Sequence, residues 1–61
     1  MALQRYAVEG YYLNPGENEN DHLAHVLTTN VEASSTSEAG DKALPRGARW
    51  ARSSPTSVRA I

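Results

Sequence analysis

Two histidines three residues apart, His22 and His25, stand just after Glu19 and Asp21, and no other cluster in the chain has side chains so suited to a metal ion. On a helix such a pair shares a face and could hold zinc with a third ligand. On a strand, positions three apart point to opposite faces, so the two rings cannot meet on one ion. The segment alternates in the manner of a strand, and neither an H-E-x-x-H nor a C-x-x-C frame is present. No metal site and no cofactor are expected.

The other distinctive cluster is Arg46-Gly-Ala-Arg49-Trp50-Ala-Arg52, with arginines at every third position around the single tryptophan. Guanidinium forks suit phosphate oxygens and an indole can stack on an unpaired base, so Arg46, Arg49, Trp50 and Arg52 form a candidate nucleic-acid surface. The structural alternative has Trp50 closing a small core while the arginines reach back to Glu32, Glu38 and Asp41. Serines abound, but none sits in a G-x-S-x-G elbow and no glycine-rich phosphate loop occurs. The carboxylates are scattered, and a chain this short has little room for an enclosed pocket. The expectation is a protein that is not an enzyme and takes no small-molecule substrate.

Charge divides the chain in two. Residues 1–41 hold all seven acids and one base, and residues 42–61 hold five bases and no acid, for a net charge of −1. The acidic hairpin loop (Glu17, Glu19, Asp21) could engage a basic protein surface. The two halves could equally neutralise each other within the fold.

The elements that must position these groups follow from period and punctuation. Residues 3–13 suit a strand with Tyr6, Val8, Gly10 and Tyr12 on one face and Arg5, Ala7, Glu9 and Tyr11 on the other. Gly10 interrupts the run and points to a bulge or a close approach. Asn14-Pro15-Gly16-Glu17 suits a type II turn. Residues 22–33 suit a second strand, with Leu23, Leu27 and Val31 toward the core. An antiparallel pairing that keeps both apolar sets on one side joins even positions to odd ones, for example Val8 to Leu27 and Tyr12 to Leu23. Ser35-Thr36-Ser37-Glu38 matches a capping box, and the helix it starts should span residues 36–44, ending before Pro45. Residues 45–57 read as an irregular Arg/Ser/Pro-rich connection, and residues 58–61 as a short closing strand.

The fold class expected is therefore α+β, a single ββαβ domain. Its Tyr-rich first strand and Ala-containing helix after a Ser/Thr cap resemble, in architecture only, many short bacterial and phage proteins, and that likeness implies no activity. Of twenty-four apolar residues nine are alanines, leaving fifteen larger ones, with no Phe and no Cys. Cores of this size are marginal without a disulfide, a metal or association. A homodimer is expected. No run is long enough for a membrane span and no segment reads as a signal peptide, so the composition suggests a cytoplasmic protein. The expected function is a protein-interaction module that docks through its sheet face, around Tyr11, or through the acidic loop. The alternative is a nucleic-acid-binding accessory protein using Arg46 to Arg52.

Overall fold

The structure, a computed structural model, describes residues 2–21 and 23–61. Strands β1 (Gln4–Leu13) and β2 (His25–Ala33) are followed by helix α1 (Thr36–Ala43), strand β3 (Arg49–Trp50), a 3-10 turn (Ala51–Ser53) and strand β4 (Ser57–Ala60). The fold is α+β, as the sequence implies. β1 is its centre. It pairs antiparallel with β2 along one edge, from Gln4↔Ala33 to Tyr12↔His25. Along its other edge it pairs with both β3 (Tyr12↔Trp50) and β4 (Glu9↔Ser57 to Tyr6↔Ala60).

Strands β3 and β4 are thus one interrupted strand. β1 advances three residues from Glu9 to Tyr12 while the chain opposite takes seven, from Ser57 back to Trp50. The excess forms a bulge that crosses Gly10. A Cβ on Gly10 would stand 2.8 Å from the Thr56 amide nitrogen and 3.0 Å from the Pro55 Cα. Glycine is required there because backbone occupies the place of a side chain. Residues 45–57 are accordingly not the irregular connection that their composition suggests. Pro45-Arg46-Gly47-Ala48 closes a turn through the Ala48 amide to the Pro45 carbonyl, with Gly47 at φ 78°. β3 and the bulge follow it.

The sheet alternates as its sequence does. Tyr6, Val8 and Trp50 join Ala33 of β2 and Ala39 of α1 in one buried cluster, flanked by Tyr12, Leu27, Val31, Ala43, Leu44 and Val58. Helix α1 covers this face alone. Trp50 is only 7% exposed, and its indole N–H donates to the Gly40 carbonyl at 3.0 Å, so the ring has an apolar bed and its polar atom a partner. The structural reading of Trp50 holds.

The register differs from the sequence expectation by two residues. Val8 faces Thr29 and Tyr12 faces His25, so the even-to-odd parity is kept, but neither Val8–Leu27 nor Tyr12–Leu23 forms. Leu27 meets Gly10 instead, beside the Trp50 side chain. Leu23 lies outside β2 at 92% exposure, not on the core. A two-residue shift preserves every face, so hydrophobic patterning alone cannot choose between these registers.

The helix start is as the sequence implies. Ser35 Oγ accepts the Glu38 amide at 3.1 Å. The Glu38 carboxylate reaches one residue further back than a standard capping box, to the Ser34 amide (3.2 Å) and hydroxyl (3.0 Å). The helix ends at Ala43, and Leu44 is extended (ψ 141°), as a residue before proline prefers. Strand β4 spans Ser57–Ala60, one residue earlier than expected.

Candidate functional site

Three surfaces are candidates: the acidic loop, the basic segment and the sheet face opposite α1. The first two are one surface. Asn14-Pro15-Gly16-Glu17 closes a type II turn, with Gly16 at φ 86° and the Glu17 amide donating to the Asn14 carbonyl. Pro15 lies against Gly47, where a Cβ would meet its Cγ at 2.9 Å, so this turn and the 45–48 turn pack together. From there the loop folds along the basic segment. The Arg49 guanidinium donates to the Glu17 carbonyl, and the Arg52 amide donates to the Glu19 carboxylate. Glu17 also meets His25 Nε2 at 3.0 Å, and Asp21 accepts from the Asn18 amide side chain at 3.0 Å. The oppositely charged halves are joined here, by hydrogen bonds to backbone rather than by guanidinium–carboxylate pairs. The arginines do not reach Glu32 and Glu38; Lys42 does, at the Glu32 carbonyl (2.8 Å) and the Glu38 carboxylate (3.3 Å).

These ties decide what each residue presents. Trp50 is buried and shows no free ring face, while Arg46, Arg49 and Arg52 stay exposed. Arg52 and Ser53 take left-handed backbone (φ 59° and 70°), which lets the bulge turn back toward β4. His22 lies outside the described residues. His25 stacks at a tilt against Tyr12, ring centroids 5.2 Å apart, and no group of three ligating side chains occurs among the described residues.

Loop and bulge together enclose a surface groove of about 550 Å³ lined by Tyr11, Leu23, Ala24, Ala51 and Pro55, with Glu19 and Arg52 as its charges. A concavity of this size exceeds what the chain length suggests. It arises because the irregular segments 14–21 and 51–56, with Leu23 and Ala24, rise on either side of Tyr11. Ala51, Pro55 and Thr56 were not legible as site residues; the one sequence signal was Gly10, which marks where a backbone must cross.

The sheet face opposite α1 is open. Direct partners share a face, so it carries Tyr11 beside Val26, Ala7 between Asn30 and Arg59, Glu9 between Thr28 and Ser57, and Arg5 beside Glu32. Tyr11 is 52% and Val26 72% exposed. Beyond the end of β4, Ile61 continues the ladder through its amide to the Arg5 carbonyl, and it too is an exposed apolar residue. The face thus has two bases, two acids and apolar residues at both ends.

The Glu38 carboxyl has a clearly displaced titration. The Ser34 amide and hydroxyl and the Lys42 ammonium hold its carboxyl below the usual carboxylate range. It serves the helix start and lies away from the groove.

No family model, curated protein or solved structure gives a significant match to this chain. Fold and surface define its class: a small α+β domain with a one-layer sheet covered on one side only. No helix among the described residues is long and apolar enough to cross a membrane.

Proposed function

We propose that this chain is a non-enzymatic protein-interaction module, a cytoplasmic accessory protein that docks its partner on the open sheet face. The observation that carries this reading is Tyr11 set against Val26, both half or more exposed, at the edge of the groove. Aromatic and apolar side chains on an uncovered face are typical of interface centres, and a rim of mixed charge is typical of their margins. Arg5 and Arg59 balance Glu9 and Glu32 on this face, which suits a protein surface better than a polyanion. The acidic loop is the weaker docking element, because Glu17, Glu19 and Asp21 already hold partners within the chain. A Cys-free chain accords with a reducing compartment.

The test is affinity capture with the tagged parent chain and two tagged variants. Tyr11→Arg should lose the protein retained by the parent chain, and Arg46→Ala should keep it, with folding of each verified by Trp50 emission. The nucleic-acid reading makes the opposite prediction. Binding to a single-stranded oligonucleotide would then weaken with salt by a log–log slope of about −0.7 per phosphate contact, and Arg46→Ala and Arg52→Ala would flatten it. That pattern, with Tyr11→Arg inert, would replace the present reading.

A further inference from the structure

The two edges of this sheet are treated differently. The β3/β4 edge is interrupted by the bulge, holds Pro55, and carries Arg49, Arg52 and Arg59. Proline, charge and bulges are the ordinary means by which edge strands avoid pairing with other chains. The outer edge of β2 has none of these over most of its length. His25–Ala33 contains no proline, no glycine and no acid or base between Val26 and Val31, and it is rich in β-branched residues. Among the described residues no strand pairs with its outer side.

Which backbone groups face outward follows from the ladder. The Arg5 carbonyl accepts from Ile61 on the β4 side, so odd residues of β1 turn their backbone groups toward β4 and even residues toward β2. The β2 partners of those even residues are His25, Leu27, Thr29, Val31 and Ala33. Val26, Thr28, Asn30 and Glu32 therefore direct their amides and carbonyls outward, and all four are exposed. The Glu32 carbonyl is already taken by the Lys42 ammonium at 2.8 Å, which caps that end of the edge. Three residues, Val26, Thr28 and Asn30, are left with both backbone groups presented to a new strand.

We infer that β2 pairs antiparallel with β2 of a second copy of this chain, about a twofold axis through Thr28. The three open residues are symmetric about Thr28: it meets itself, and Val26 meets Asn30 in both directions. This register closes about six backbone hydrogen bonds, keeps each copy's buried face on the same side, and leaves Lys42 in place. A twofold through Asn30 would set Glu32 against Thr28 and displace Lys42. The side chains brought together near the axis are uncharged, so no charge meets its own image. A second copy fits for a further reason. Among the described residues six apolar side chains are buried in the chain alone, with no disulfide to support them, and pairing joins the two four-stranded sheets into one across both copies. The pairing uses the backbone edge of β2, while the side chains of Val26, Thr28 and Asn30 stay on the docking face proposed above.

The experiment combines light scattering with cysteine cross-linking. The parent chain should elute at twice the chain mass, and its melting temperature should rise across a hundredfold increase in concentration. Thr28→Lys sets two ammonium groups opposite each other on the axis, and should give a monomer with unchanged far-UV circular dichroism. Because the chain has no cysteine, Thr28→Cys should form a disulfide dimer on mild oxidation; hydrogen-bonded partners lie about 5.5 Å apart, within disulfide reach. Asn30→Cys should not. A parent chain that stays monomeric at every concentration overturns the inference. So does a dimer that persists in Thr28→Lys, or one that cross-links through Asn30→Cys and not through Thr28→Cys.

Discussion

Two glycines flank the same tryptophan, and replacing each by alanine should move stability in opposite directions. Gly40 lies inside α1, where an added Cβ would meet the Pro55 Cγ at 3.7 Å and Trp50 Nε1 at 3.8 Å, ordinary contact distances. Nothing must move, so the gain is the helix preference of alanine over glycine, about 0.5–1 kcal/mol. Gly10 lies inside β1, where the new atom would stand 2.8 Å from a backbone nitrogen and 3.1 Å from the Trp50 Cζ3. Overpacking of this kind costs about 1–3 kcal/mol, of which alanine's strand preference returns about 0.5–1. A net loss of about 0.5–2 kcal/mol is expected for Gly10→Ala. Urea unfolding followed by Trp50 emission, at one fixed protein concentration, reads both variants on a common scale. With a slope of about 1 kcal/mol per molar, the midpoint should rise by about 0.5–1 M for Gly40→Ala and fall by about 0.5–2 M for Gly10→Ala. An unchanged midpoint in Gly10→Ala would refute the path of the 51–56 bulge. A lowered midpoint in Gly40→Ala would refute the fit of α1 on Trp50 and Pro55.

Trp50→Ala should cost about 3–5 kcal/mol, because it removes the largest buried side chain and leaves the Gly40 carbonyl without its donor; near-native stability by circular dichroism would contradict the core placement of the ring. Ser35→Ala should cost about 0.5–2 kcal/mol through loss of the Glu38 amide's acceptor, measured as a shift in the denaturant midpoint. The Glu38 carboxyl is held below its ordinary range by Ser34 and Lys42, so the folded chain binds that proton less readily than the unfolded chain. Its stabilisation is complete above the usual carboxylate range and is lost as the pH falls through the depressed folded value. The stability difference between the parent chain and Glu38→Gln should therefore be largest at neutral pH and shrink in acid; a difference that does not vary with pH would contradict this.

Much of the fold was legible from local rules. The two long strands, the core faces, the Pro15-Gly16 turn and the Ser35 cap each depend on residues within a few positions of one another. So did the warning at Gly10, although not the identity of what crosses it. The candidate site was half legible. Tyr11 was placed on the open face by parity alone, and Trp50 in the core by the scarcity of other large residues. The groove was not legible, because Ala51, Pro55 and Leu23 come together only through the path of two irregular segments.

The sequence alone determined which residues share a face, where the helix begins and that charge divides near residue 41, because period, capping chemistry and composition act over short distances. The tertiary structure alone decided the rest. It chose between registers two residues apart, which the alternation of side chains leaves equivalent. It divided the last strand around a bulge, because Trp50 packs under α1 while β4 pairs with the other end of β1. It also brought the acidic loop onto the basic segment, a meeting of residues more than thirty positions apart that depends on how the chain turns between them and that no local pattern encodes.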